Sequence, residues 1–141
     1  GLDGALEANW TEDPYAITPI LHDAGKMSQA GVQYIQPLDR YVMLQWYYPE
    51  PYSTDFNTTR TIWHFYEAPK PWGPWRKFFE CEFTPEGLYN PDIISKSITF
   101  NADSNSCEMT LLTAGNWKTS GKPDSFYRMT AYQFTIATHN R

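Results

Sequence analysis

From Gly31 onward the chain alternates short runs rich in Val, Ile, Tyr, Phe, Trp and Thr with clusters of turn-forming residues. This pattern predicts antiparallel strands rather than helices, because β-branched and aromatic side chains fit a pleated, half-buried surface. Residues 31–36 read as a first strand, reversed by Pro37-Leu38-Asp39-Arg40, and residues 41–48 as a second, richly apolar strand closed by Pro49. A polar loop over 50–59 leads to a third strand at 60–67, and a Pro/Gly turn leads to a fourth at 75–83. Together they make one four-stranded meander.

The pattern then recurs. Residues 88–100 contain a strand, 101–105 a turn, 107–114 a second strand, and 126–137 a third strand after the loop 115–125. Aligning Tyr34 with Tyr89, and TIWHFYEA with YRMTAYQF, gives a repeat of roughly 55 to 65 residues, in the range of a four-stranded propeller blade with long loops. The expected fold class is all-β, a partial β-propeller made of antiparallel four-stranded blades, with a sandwich or barrel of meanders as the alternative. The expected organisation is an irregular leading segment with the end of a preceding blade at 1–30, a first blade at 31–87 and an incomplete second blade at 88–141. The two sheets are expected to pack face to face.

The stretch YEAPKPWGPWRKFF, at 66–79, is too broken by proline and glycine for a helix. It reads as the reversal between the third and fourth strands: Pro69 and Pro71 fix φ, and Gly73 takes positive φ at the corner. Trp72 and Trp75 then cover the edge of the sheet, or else stand exposed as platforms on which sugars stack.

At 141 residues, 41% hydrophobic and 17% aromatic, the chain has apolar material for a packed core. A formal charge of -5 and a pI near 5.1 argue against a nucleic-acid face, because phosphate binding relies on clustered Lys and Arg. No apolar run approaches the roughly 20 residues that span a bilayer. The start GLDGALEANW lacks the basic and apolar regions of a signal peptide, so the signal of an exported protein would be removed or lie outside this chain. Cys81 and Cys107 either form one disulfide or are two small buried hydrophobes, and spacing does not decide between them. The sequons Asn9-Trp10-Thr11 and Asn57-Thr58-Thr59 lean toward export.

Several of these residues carry a resemblance. Trp10-Thr11-Glu12-Asp13, Ala16-Ile17-Thr18-Pro19-Ile20-Leu21, Asp39-Arg40-Tyr41-Val42-Met43-Leu44, Ala68-Pro69, Trp72-Gly73-Pro74-Trp75 and Tyr89-Asn90-Pro91 follow in order along the chain. In this succession, which runs from about residue 9 to about residue 134, the chain resembles secreted five-bladed β-propellers of a family of unknown function, similar in fold to propeller glycoside hydrolases. The resemblance implies a ring of blades around a central channel with first strands innermost, and a secreted location. Five blades at this repeat require roughly 250 to 300 residues. The chain is therefore expected to be a fragment whose partners include the remaining blades of a longer chain, an independent small β domain being the rival.

In propeller glycosidases the working groups are inner-strand carboxylates paired about the glycosidic bond. The resemblance places Gln29 where an acid is expected, and glutamine does not transfer a proton. In the second blade Asp92 is the candidate catalytic carboxylate, set against a turn acid that caps backbone amides beside proline. The substrate-binding residues implied are Gln29, Gln33, Tyr34, Tyr89, Asn90 and Asp92. Asp13, Asp23, Asp39, Asp103 and Glu67 read as solvated or turn-forming. His22, His64 and His139 lack the spacing of metal ligands, and His64 reads as an ordinary strand residue. The run Asn101, Asp103 and Asn105 lacks the later acidic ligand of a calcium loop. No metal and no cofactor are expected, and no nucleophile elbow or phosphate-binding glycine loop is present.

The expected function is a fragment of a secreted, glycoside-hydrolase-like propeller that interacts with a glycan or polysaccharide and has no turnover of its own. The alternative is a non-catalytic carbohydrate-binding or protein-interaction propeller, with Trp46, Trp72 and Trp117 as stacking faces or as core. Nucleic acid and membrane are not expected as partners. Whether the complete protein is an enzyme stays open.

Overall fold

The first meander forms where the apolar alternation places it. The computed structural model describes residues 10–49, 60–83, 89–115 and 128–138. Within these, β1 (Gly31–Ile35), β2 (Arg40–Tyr47), β3 (Thr61–Ala68) and β4 (Arg76–Phe83) build one antiparallel sheet in the order β1-β2-β3-β4. Between β1 and β2 a short 3-10 turn at Gln36–Leu38 ends on Asp39, which takes φ 49° and returns its N–H to the Gln36 carbonyl at 3.1 Å. Asp tolerates that left-handed conformation better than most side chains.

The Pro/Gly stretch between β3 and β4 is a tight turn. Gly73 N donates to the Lys70 carbonyl at 3.0 Å, which puts Pro71 at the second turn position, where its fixed φ is favourable. Gly73 takes φ +105°, as expected, and a Cβ there would lie 3.0 Å from the Trp75 amide nitrogen. Trp72 is half-buried and meets Trp10 edge-on, with ring centroids 6.5 Å apart.

The second sheet comprises β5 (Tyr89–Ile93), β6 (Thr99–Asn101), β7 (Ser106–Gly115) and β8 (Arg128–Ala137), all antiparallel. β8 runs along the full length of one edge of β7, so β5 and β6 share the other edge. The single strand expected within 88–100 is thus split in two by a 3-10 turn at Ser95–Ser97. Ser97 makes the break tolerable: its hydroxyl accepts the Thr110 amide at 2.8 Å and donates to the Ile94 carbonyl at 2.7 Å. An unpaired amide in the ladder would cost about 1–3 kcal/mol, so the hydroxyl stands in for the missing carbonyl.

The two sheets pack face to face through aromatic pairs. Trp46 meets Tyr89 at 5.2 Å, Trp63 meets Tyr132 at 6.0 Å and Phe65 meets Phe134 at 5.5 Å, centroid to centroid. Ile35, Val42, Leu44, Ile93, Cys107, Met109 and Leu111 complete the core between them. The all-β expectation is therefore met by two antiparallel four-stranded sheets, and neither closes on itself.

Cys81 and Cys107 are free thiols, which resolves the alternative left open by spacing. Burial, with a smaller contribution from the Glu80 carboxylate, pushes the Cys81 thiol up to about 11. Burial also raises the Cys107 thiol. Both sulfurs behave as small hydrophobes of the core. Asn9 and the sequon at Asn57, together with Trp117 and His139, lie outside the described residues.

Candidate functional site

Two regions carry polar chemistry, and the strand period assigns them to different places. Along β1, Gly31, Gln33 and Ile35 share one face, while Val32 and Tyr34 share the other. β1 and β5 are the edge strands that open the two sheets, and they lie side by side. At the closest approach Gly31 faces Asp92: a Cβ on Gly31 would fall 2.5 Å from Asp92 Oδ1 and 3.1 Å from the Pro91 carbonyl oxygen. Only glycine admits the β5 edge at that distance.

The expected binding residues distribute around this seam. Asp92 is exposed, and its Oδ1 accepts the Ile93 amide at 2.9 Å. Asn90 is exposed with φ 52°. Gln33 is half-buried and donates through Nε2 to the Tyr34 carbonyl at 2.9 Å. Gln29 is exposed just before β1 and accepts the Ser28 hydroxyl at 3.1 Å. Tyr89 turns its ring into the core against Trp46, and its carbonyl accepts the Thr113 hydroxyl at 2.6 Å. Tyr34 lies on the opposite face of β1 from Gln33, where its hydroxyl donates to Asp39 Oδ1 at 2.8 Å. That hydrogen bond is the main reason the Tyr34 phenol holds its proton to higher pH than usual. The structure thus joins Gly31 and Asp92 across the seam and separates Tyr34 from Gln33. Trp46, 8% exposed and packed on Tyr48 and Tyr89, belongs to the core and offers no free stacking face.

The second region lies on the face of the first sheet turned away from the second. Register sets Gln45, His64 and Glu80 in one row across β2, β3 and β4, with Met43, Tyr66 and Lys77 in the next. His64 is 1% exposed. Tyr66 Oη lies 3.3 Å from its Nδ1, with Asp23 Oδ2 at 3.9 Å from the same nitrogen. Glu80 Oε2 stands 2.8 Å from Nε2, at ion-pair distance but outside hydrogen-bond alignment. Tyr47 meets the imidazole edge-on.

Burial lowers the His64 pKa, reinforced by the Lys77 charge and opposed by Glu80 and Asp23. Lys77 donates to Glu80 at 2.8 Å, which holds the Glu80 carboxyl below the usual range and raises Lys77 in return. Burial, then the Asp23 charge, raises the Tyr66 phenol. Beside this cluster the leading segment is held down by Ser28 N, which donates to the buried Gln45 Oε1 at 3.0 Å. With its ring sealed from solvent, His64 cannot exchange protons with a bound substrate. The cluster fastens residues 23–28 onto the sheet.

His64 lies in β3 and Asp23 opens a turn closed by the Lys26 amide on the Asp23 carbonyl at 3.0 Å, as expected of each, and the structure adds that the two meet on the outer face of the first sheet. A signal was present in the sequence: His64 and Gln45 interrupt otherwise apolar central strands, and a buried polar side chain needs a partner. The turn acids behave as expected elsewhere. Asp13 Oδ1 accepts the Tyr15 amide at 2.9 Å, and the amides of Asp103 and Ser104 donate to Asn101 Oδ1. Among the described residues no group of three or more His, Cys, Asp and Glu is placed to hold a metal ion. No helix among them is long and apolar enough to cross a membrane.

No protein-family model, curated protein or solved structure matches the chain.

Proposed function

We propose that the chain supplies two consecutive blades of a secreted, glycan-interacting β-propeller, and that it holds sugar along the β1/β5 seam without cleaving it. The observation that carries this reading is the Gly31–Asp92 contact, because it sets the opening strands of two packed sheets edge beside edge. In a propeller those first strands line the channel. The unbroken meander order β1-β2-β3-β4 supports the same arrangement. Secretion rests on the family resemblance and the two sequons.

The chemistry of the seam favours binding over turnover. Glycoside cleavage uses two carboxylates roughly 5 to 10 Å apart. Asp92 is the single acid of β1 and β5, and Oδ1 already accepts a backbone amide. Exposed Asn90 and Asp92 provide donors and acceptors for sugar hydroxyls. Calorimetry and a glycan array on the chain, beside Asp92→Asn and Asn90→Ala, test the reading. Binding weakened about tenfold by either change is expected, corresponding to one lost charged or neutral hydrogen bond. Hydrolysis by the unaltered chain refutes the non-cleaving role, and unchanged binding in both variants removes the seam.

A protein-interaction propeller is favoured by one observation: Trp10, Tyr15 and Ile17 stand 85%, 96% and 64% exposed on the leading segment. An exposed apolar stretch of this kind suits a protein contact.

A further inference from the structure

The two sheets differ in width, and the difference leaves a step. The first is four strands across, whereas the second is three, because β5 and β6 share one edge of β7. The ring contacts Trp63–Tyr132 and Phe65–Phe134 stack β8 over β3, so β4 projects beyond the last strand of the second sheet. A bulge in β4 opposite Phe65 sets both Phe78 and Phe79 on the inner face, with ring centroids 6.2 and 5.4 Å from that of Phe65. Phe65 is 2% exposed beneath β8, while Phe78 and Phe79, one strand further out, are 40% and 51% exposed. The core continues past its cover. The edge of β8 beside this step is open as well: among the described residues β8 pairs only with β7, and β4 only with β3. The ladder of β8 with β7 has no register shift, and 129–137 holds no charge and no proline. Free edges are ordinarily blunted by lysine, proline or a bulge, so a long, regular, neutral edge is fit to be paired.

We infer that a second copy of this chain fills the step, its β4 pairing with β8 while its own β8 takes β4. Strand direction supports this occupant. Trp63 and Phe65 of β3 meet Tyr132 and Phe134 of β8 in ascending order, so β3 and β8 run the same way and β4 runs against both. A two-fold axis parallel to the strands and midway between the layers keeps strand direction and exchanges the layers. It lays the copy's β4 antiparallel beside β8, the sense of every strand pair in both sheets. The two projecting β4 strands then stack on each other, and Phe78 and Phe79 of each copy cover those of the other. Facing matches too: Cys81 and Phe79 pair with Trp63 and Phe65, at the level of Tyr132 and Phe134, so inner-face residues come opposite inner-face residues. On the outer face the copy's Glu80 and Glu82 come opposite Gln133 and Ala131, where β8 offers no like charge. Two ladders of about eight residues, each roughly 26 Å long, with four phenylalanines between them bury on the order of 1,200 Å², the area at which specific interfaces begin. The inference does not rest on the glycan reading: there the edge of β8 passes to a further strand of a longer chain, and here it concerns what the 141 residues do by themselves.

Sedimentation velocity on the chain between about 1 and 100 μM tests it. The unaltered chain is compared with Phe79→Lys, Ala131→Glu, Ala131→Lys and Tyr34→Lys, each with its melting temperature. A mass twice the 16.4 kDa of one chain is expected for the unaltered protein. Ala131→Glu sets a carboxylate opposite the copy's Glu82 twice per dimer and weakens association about tenfold, while Ala131→Lys keeps it. Phe79→Lys abolishes the dimer, and Tyr34→Lys, on the outer face of the first sheet, leaves it unchanged. Phe79 also packs on Phe65, so a fall in melting temperature there passes the decision to the exposed Ala131, whose two variants leave the core untouched. A chain that stays monomeric throughout the range overturns the inference. A dimer that the two Ala131 variants change equally also overturns it, because Glu82 then does not lie beside β8. Loss in Tyr34→Lys with the dimer kept in Phe79→Lys moves the interface to the outer face of the first sheet and rules out the step.

Discussion

The two sheets share one core but treat their outer faces differently. In the first sheet, β2 and β3 are buried on both sides: Leu44, Trp46, Trp63 and Phe65 face the second sheet, while Met43, Gln45, His64 and Tyr66 are buried on the other side. In the second sheet β7 alternates. Cys107, Met109, Leu111 and Thr113 are buried, whereas Glu108 is exposed and Thr110 and Leu112 are half-buried. On β8, Gln133 and Thr135 are exposed, and Gln133 donates to Thr110 at 2.9 Å across an open face. The difference shows what a covered sheet face demands. Where the leading segment lies over the first sheet, the buried His64 and Tyr66 stand beside Asp23 and Glu80, and the buried Gln45 accepts the Ser28 amide. Where no described segment covers the second sheet, its polar side chains face solvent.

The largest test concerns what the sheets share. Trp63→Ala removes a ring that contacts Tyr132 at the centre of the interface, and a loss of about 3–5 kcal/mol in denaturant-monitored stability is expected. A loss near zero would mean that the sheets do not stabilise each other. The second test separates the outer faces. His64→Ala is expected to cost about 1–3 kcal/mol, since it removes the imidazole beside the buried Tyr66 hydroxyl, while Gln133→Ala stays within about 0.5 kcal/mol. Equal losses would erase the distinction between a covered and an open face.

The smallest expected effect is one of pH. The folded state holds the His64 pKa below its ordinary value of 6.5, so below that pH the unfolded chain takes up a proton that the folded chain resists. The stability associated with neutral His64 is full above about pH 6.5 and declines as pH falls toward the depressed folded value. Chemical denaturation between pH 8 and 5, about the range in which imidazole titrates, should show this decline in the natural chain and a flatter profile in His64→Gln. A parallel decline in both would place the dependence elsewhere in the molecule. Three groups of opposite effect face the imidazole: Lys77 lowers its pKa, and Asp23 and Glu80 raise it.

Much of the strand plan was legible because its causes are local. The β-branched and aromatic run TIWHFYEA, the alternation in SCEMTLLTAG, proline at Pro71 and the demand for positive φ at Gly73 all act within a few residues. The break at 95–97 was not legible. It is sustained by the Ser97 hydroxyl, which serves an amide 13 residues away on β7. Nor did Gln33 and Tyr34 read as occupants of opposite faces, although a period of two requires it once 31–35 is a strand.

The amino-acid sequence by itself determined that the chain is all-β, where its main strands run and which turn reverses β3 into β4. Propensity, period and turn chemistry are short-range and survive without knowledge of the partners. Only the tertiary structure decided that Gly31 meets Asp92, that both cysteines remain free, and that Asp23 and Glu80 flank His64. Those contacts join residues far apart in the chain. They depend on strand register and on which sheet face is covered, and the local pattern specifies neither.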